Sequence, residues 1–204
     1  MLYVITGAPF AHKTTLIRHL GELGYSTIPE AALEVIEEYG CLQYYDDGWE
    51  HWRRSIPEHE TAFALAVALR QLSREVIAAY SDKIIFSDRG YLDSMAFCQM
   101  RGVTFPEFDV HSQYRAVFVL LAQDEDTRRK TGRIDTLEEN RAITPILIDV
   151  YKNAGYDVFT VGNYSSNLAV NTATRAQVIL STIAKLKGFD LLDGAGPSYG
   201  HETG

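Results

Sequence analysis

Nine residues near the start of the chain have the types and the order needed to hold a phosphate group. They run Gly7-Ala8-Pro9-Phe10-Ala11-His12-Lys13-Thr14-Thr15, directly after the apolar stretch Leu2-Tyr3-Val4-Ile5. Against the pattern G-x-x-x-x-G-K-[ST] they match at every fixed position but one, with His12 in place of the second glycine. In that pattern a strand, a tight loop and a helix start aim backbone N–H groups and the positive end of the helix at phosphate oxygens. Lys13 would bridge β- and γ-phosphates, the Thr14 hydroxyl would ligate Mg²⁺, and Thr15 would reach the α-phosphate side. If the His12 position needs φ > 0, its side chain costs about 1–2 kcal/mol, although histidine is relatively enriched there. Pro9 removes one N–H donor, which matters less if that group does not face phosphate.

Three other groups have chemistry to offer. Asp88-Arg89 follows the buried-strand pattern Lys83-Ile84-Ile85-Phe86-Ser87. An acid there can hold Mg²⁺ or accept a proton from an attacking hydroxyl, and the arginine can bind an acceptor or phosphate oxygen in bidentate fashion; a surface ion pair is the plainer alternative. Glu30, just after Pro29, is a candidate general base or hydroxyl-binding carboxylate, or else a favourable first-turn acid of a helix. The basic segment Arg128, Arg129, Lys130 and Arg133 could close over a triphosphate as a lid near residues 124–136, or could be a solvated charged face.

The elements that must position these groups alternate along the chain. Strands are predicted over Leu2–Thr6, Tyr25–Ile28, Lys83–Ser87, Tyr114–Leu121 and Tyr156–Val161, from short apolar and β-branched runs. Helical spacing covers Thr15–Leu23, Ala31–Tyr39, Glu60–Tyr80, Tyr91–Met100, Leu137–Asn153 and Ala176–Leu186, with a polar loop through Thr172 before the last. Such alternation predicts a parallel sheet with helices on both faces. Ligands then sit at the carboxyl ends of the strands, where the loop, Glu30, Asp88 and the basic segment should converge. Residues 42–59 form an aromatic-rich insertion carrying Trp49 and Trp52, suited either to recognising a flat substrate or to capping the core. Residues 189–204 are small and polar without periodicity and read as a flexible tail beyond a single domain over 1–188.

Composition narrows the function classes. With 204 residues the chain suits one compact domain. A net charge of −8 argues against a nonspecific nucleic-acid binder. Cys41 and Cys98 match no zinc or C-x-x-C spacing and read as reduced thiols. No apolar run is long enough for a membrane span, and Met1 leads straight into a strand-like stretch, so a cytoplasmic location is expected.

The segments Ile5-Thr6-Gly7 through Ile17, Pro29-Glu30-Ala31-Ala32 and Ser87-Asp88-Arg89-Gly90-Tyr91-Leu92-Asp93-Ser94 together resemble the AAA-like ATPase/kinase family of small P-loop proteins. That family is similar to the kinase domains acting on nicotinamide riboside and to thymidylate kinases, whose Asp-Arg-Tyr motif corresponds to Asp88-Arg89. The resemblance spans roughly residues 1–185. It implies a kinase-type P-loop fold, a three-layer αβα sandwich on a mostly parallel five-stranded sheet, that binds ATP with Mg²⁺. Arg133-Ile134-Asp135 resembles the family's lid, while Phe10-Ala11-His12 departs from its glycine-rich run.

The expected activity is transfer of the γ-phosphoryl group of ATP to a small acceptor, a nucleoside or nucleotide. Lys13 and the backbone of Gly7 to Thr15 would bind the phosphates, Thr14 and Asp88 the metal, and Arg89 the acceptor, with Arg128, Arg129 and Arg133 as lid charge. The alternatives are a regulatory nucleotide-binding module, motivated by His12, and an ATPase coupled to a protein partner. No Asn-Lys-x-Asp guanine-reading signature occurs, so ATP is preferred over GTP.

Overall fold

The computed structural model describes residues 1–40, 56–106, 114–122 and 137–186, with the side chains of 39–40 and 137–140 excepted. Five strands, β1 (Leu2–Gly7), β2 (Ser26–Ile28), β3 (Ile85–Asp88), β4 (Tyr114–Leu120) and β5 (Val158–Val161), form one sheet in the order β2-β3-β1-β4-β5. Every pairing is parallel. Among the described residues six helices connect or flank them: α1 (Lys13–Glu22), α2 (Ala31–Gly40), α3 (Pro57–Ala79), α4 (Leu92–Met100), α5 (Leu137–Asn153) and α6 (Leu168–Leu186).

The period-two alternation of strand side chains divides the core between the two faces of the sheet. Leu2 and Val4 of β1 join Val117, Leu72, Ala96, Leu147 and Tyr151 beneath α3, α4 and α5. Tyr3 and Ile5 point the other way, into a cluster with Phe86, Phe118, Leu16, Leu20 and Ile179 under α1 and α6. The three central strands β1, β3 and β4 are buried on both faces almost throughout, which is why they read as continuous apolar runs, while the edge strands β2 and β5 are only half-buried. Parallel pairing puts the carboxyl ends of all five strands on one rim, as the α/β alternation predicts.

Two helix starts differ from the sequence expectation by three residues or more; the other boundaries lie within about two residues of it. The last helix starts at Leu168 rather than Ala176, so the end of the polar stretch, from Leu168 through Thr172, is helical. Its start is set by Asn167, whose Oδ1 accepts from the N–H groups of Ala169 and Val170 at 3.0 and 3.2 Å. That capping occupies two first-turn donors, and outweighs the weak propensities of Asn171, Thr172 and Thr174. Likewise α3 starts at Pro57, inside the stretch assigned to the aromatic insertion. Proline at the first position and Glu58 and Glu60 in the first turn favour that start. The remainder of the insertion, including Trp49 and Trp52, the lid near 124–136 and the tail at 189–204 lie outside the described residues.

Candidate active site

The loop after β1 is shaped by close packing and by left-handed backbone. Gly7 has φ 144°, and a Cβ there would lie 2.4 Å from the Leu120 carbonyl oxygen of β4, so no side chain fits. The Ala11 N–H donates to the Ala8 carbonyl at 3.2 Å and tightens the turn. Phe10 and His12 both take left-handed conformations, with φ 66° and 59°. Each costs about 1–2 kcal/mol relative to the right-handed region. The sequence raises that strain at His12; Phe10 carries it too, because the second half of the turn bends the same way. The first helical hydrogen bond of α1 runs from the Leu16 N–H to the His12 carbonyl at 3.1 Å. The N–H groups of Lys13, Thr14 and Thr15 therefore belong to the helix start, where the helix itself offers no acceptor. The first turn contains no acidic side chain to compete with an anion.

Lys13 is buried in this loop, and its ammonium donates to the Ala8 carbonyl at 2.9 Å. Burial, then the nearby Arg89, lower its pKa to about 8, against the pull of Glu30, Asp88 and Asp93. One residue on, the Thr14 hydroxyl donates to Asp88 Oδ2 at 2.7 Å, which ties the helix start to the end of β3. Burial and the charge of Glu30 raise the Asp88 pKa, with Lys13 and Thr14 opposing. Asp88 Oδ1 is buried and has no hydrogen-bond partner among the described residues. A hard divalent cation takes oxygen ligands and usually retains waters and substrate phosphates alongside one or two protein groups. Thr14 and Asp88 fit that donor set.

Arg89 is the hub on the other side of the loop. Its backbone is left-handed, φ 71°, and its N–H continues the β-ladder to the Ile5 carbonyl at 2.9 Å. The guanidinium donates through Nε to Glu30 Oε1 at 2.8 Å, and through Nη1 to Asp93 Oδ2 at 2.8 Å and the Gly7 carbonyl at 3.3 Å. Burial alone would lower its pKa, but Glu30 and Asp93 outweigh that and hold it above the usual arginine value. Asp93 also accepts from the Thr6 and Tyr151 hydroxyls, each at 2.6 Å. Burial and then the Asp93 charge hold the Tyr151 phenol well above its ordinary pKa. Gln71 of α3 supports the same strand end, donating to Ser87 Oγ at 2.7 Å and to the Arg89 carbonyl at 3.2 Å. Glu30 and Arg89, which the sequence left with plainer alternatives, are thus one partly buried pair beside the loop.

A cleft partly open to solvent lies between α2, α3 and α4 next to this pair. Pro9, Glu30, Arg89 and Asp93 line the end near the loop, Ile36, Phe63, Val67 and Phe97 give it apolar walls, and Glu60 and Arg101 also line it. Glu60 and Arg101 are themselves ion-paired. Asp88 does not line this cleft; its contact is Thr14, on the phosphate side.

Sequence reasoning missed three parts of the site. Asp93 was visible only as an acid four residues after Arg89, a spacing that brings the two together once a helix starts between them. Glu60 and Arg101 carried no signal, being 41 residues apart. Arg175 carried none either. It is wholly buried on α6 and donates to the carbonyls of Ala11, Leu121 and Gly162 at 2.7, 2.6 and 2.9 Å, and to Asn163 Oδ1 at 2.5 Å. It thereby fastens the phosphate loop to the ends of β4 and β5. Arg128, Arg129 and Arg133 lie outside the described residues.

A phosphate-type loop at the central strand, a Thr14–Asp88 contact and a parallel 2-3-1-4-5 sheet define a P-loop protein of the kinase-type fold. A family described as AAA domain matches residues 2–166, and the chain belongs to that family. No curated protein sequence matches. Among solved structures, the deoxyadenosine kinase from M. mycoides with dCMP and dCDP is similar at TM-score 0.63 and 16% identity, covering 91% of this chain and 100% of its own. Thymidylate kinase from Ehrlichia chaffeensis is similar at TM-score 0.59 and 14% identity, covering 90% and 98%. Shikimate kinase from Acinetobacter baumannii with shikimate is similar at TM-score 0.50 and 16% identity, covering 91% and 93%. At these identities the likeness concerns the fold. Among the described residues no helix is long and apolar enough to cross a membrane.

Proposed function

We propose that this protein transfers the γ-phosphoryl group of ATP to a hydroxyl or phosphate oxygen of a small acceptor, a nucleoside or nucleotide. The observation that carries it is the pairing of two oxygen-rich contacts around one phosphate loop: Thr14 with Asp88 on one side, and Arg89 with Glu30 at the mouth of a cleft on the other. The backbone N–H groups at the α1 start and Lys13 bind the triphosphate. Thr14 and Asp88 would hold Mg²⁺, which neutralises phosphate charge when bound. Glu30 reaches the cleft and is placed to accept the proton of an attacking hydroxyl, while Arg89 fixes its orientation. In the transfer, an acceptor oxygen forms a bond to the γ-phosphorus, the bond to the β-phosphate oxygen breaks, and ADP leaves. The kinase-type fold of the similar structures supports this assignment, as does the resemblance of the Asp88-Arg89 segment.

The test is ADP release from Mg·ATP by the purified chain across a panel of nucleosides and nucleotides. Release that depends on an acceptor, with a phosphorylated product, is expected. ATP binding with no acceptor-dependent release would overturn it. A nucleotide-binding regulatory module that turns over little is the alternative, favoured by the two left-handed non-glycine residues in the loop. It predicts binding by calorimetry with neither hydrolysis nor transfer.

A further inference from the structure

Resting on that assignment, we infer that the Gln71 side-chain oxygen and the Ser94 hydroxyl read the ring of the acceptor, and that this ring enters the cleft with an N–H donor at its edge. Two helix faces wall the cleft. Phe63, Val67 and Gln71 recur at four-residue steps along α3, and Ser94, Phe97 and Arg101 at steps of three and four along α4 and its C-cap. Residues so spaced share one side of a helix, so the polar and apolar members of each set face the same space.

Each wall carries one polar group with bonding capacity left over. Gln71 is 2% exposed, and its Nε2 donates to Glu75 Oε1 at 3.0 Å, Ser87 Oγ at 2.7 Å and the Arg89 carbonyl at 3.2 Å. A carbonyl oxygen can only accept, which fixes the Arg89 end of the amide as nitrogen and the other end as oxygen. That oxygen, Oε1, is buried and has no hydrogen-bond partner among the described residues. Ser94 is 6% exposed. Its N–H donates to the Tyr91 carbonyl at 3.2 Å, but its hydroxyl has no partner among the described residues. The hydroxyls of Thr172, Thr174 and Thr182 on α6, by contrast, each donate to the carbonyl four residues back. A buried polar atom left unmet opposes folding, so a pair of them lining one cleft marks where the polar groups of a ligand belong.

What each group can do sets the chemistry of that ligand. Oε1 only accepts, so the atom opposite it must bring a hydrogen. The hydroxyl donates or accepts, and suits a neighbouring acceptor atom. A donor beside an acceptor on the edge of a flat ring is the pairing edge of a nucleobase. Phe63, Val67 and Phe97 offer apolar surface to the faces of such a ring. An analogue without the donor leaves Oε1 unmet on binding and is rejected.

The experiment is calorimetric titration of the full chain, loaded with Mg²⁺ and the non-hydrolysable β,γ-imido analogue of ATP. The ligands are the 2′-deoxynucleosides, their 5′-monophosphates, and a counterpart of each with the N–H groups of the base methylated. At least one parent compound should bind about tenfold or more tightly than its methylated counterpart. Binding that the methyl groups leave unchanged, or no binding of any parent compound, overturns the inference. In Ser94→Ala the affinity for that parent should fall by about fivefold or more while the melting temperature holds or rises, because the lost hydroxyl had no protein partner. Unchanged affinity, or a lower melting temperature, would show a hydroxyl that does not read the ligand. Binding is measured without turnover, so selective binding with no transfer would sink the kinase assignment alone. Transfer to an acceptor with no donor on its ring would sink this inference alone.

Discussion

Replacing Arg175 by methionine tests how the phosphate loop is held. The guanidinium is buried, meets no carboxylate among the described residues, and donates to four oxygens on three segments. Hydrogen bonds from a charged donor are each worth about 1.5–3 kcal/mol, and an orphaned buried carbonyl costs about 1–3 kcal/mol. Against this, methionine removes the several kcal/mol that burying an unpaired charge costs, the same burial that lowers the Arg175 pKa. The oxygens that lose their donor outnumber the one charge relieved, so a net loss of about 3–5 kcal/mol is expected. At about 2–4 °C per kcal/mol for a domain of this size, the melting temperature should fall by about 6–20 °C. Thermal melts by circular dichroism read that directly, and nucleotide affinity should fall with it because the Ala11 carbonyl loses its anchor. Arg175→Lys should recover only part of the loss, since one ammonium cannot span Ala11, Leu121 and Gly162. A methionine variant that melts within about 3 °C of the wild type would refute the reasoning.

Lys13, with its pKa lowered to about 8, gives a pH signature. Between pH 8 and the unfolded value near 10.5, the unfolded chain holds a proton that the folded chain has lost, so stability rises with pH across that window, by at most about 3 kcal/mol. Urea melts at pH 7.5 and 10 should show that gain in the wild type and not in Lys13→Met; parallel behaviour would count against it. At neutral pH Lys13→Met should also weaken transfer by about a hundredfold or more, read as kcat/KM for ATP. Asp88→Asn removes a carboxylate whose ionised form burial disfavours, so the nucleotide-free protein should melt higher while Mg²⁺-dependent ATP binding drops; a lower melting temperature would show that the Lys13 attraction dominates. His12→Gly relieves a left-handed side chain and should leave stability within about 1 kcal/mol while nucleotide affinity holds or rises. A collapse of affinity in that variant, measured by calorimetry, would mean the imidazole itself contributes to the site.

Sheet, helices and phosphate loop were legible because their signals are local. A buried parallel strand shows as an apolar run, a helix as a 3.6-residue period, and the loop as a fixed order of residue types. The failures were local competitions too. Asn167 capped a helix whose first turns are rich in weak helix formers, and Pro57 started one inside an aromatic stretch. The phosphate loop survives without its second glycine because His12 accepts the left-handed backbone that glycine would adopt.

That the phosphate loop and Asp88 share one rim followed from the alternation of elements, since parallel strands bring their carboxyl ends together. Only the tertiary structure decided the strand order β2-β3-β1-β4-β5, the Thr14–Asp88 contact and how the charges at the rim combine. Glu30 and Arg89 are 59 residues apart, Glu60 and Arg101 are 41 apart, and Ala11 and Arg175 are 164 apart. Side-chain pairing over such separations depends on which helix faces meet across the sheet, and no spacing rule in the chain encodes it. The sequence therefore determined which residue types reach the rim at the carboxyl ends of the strands, and packing determined which of them meet there.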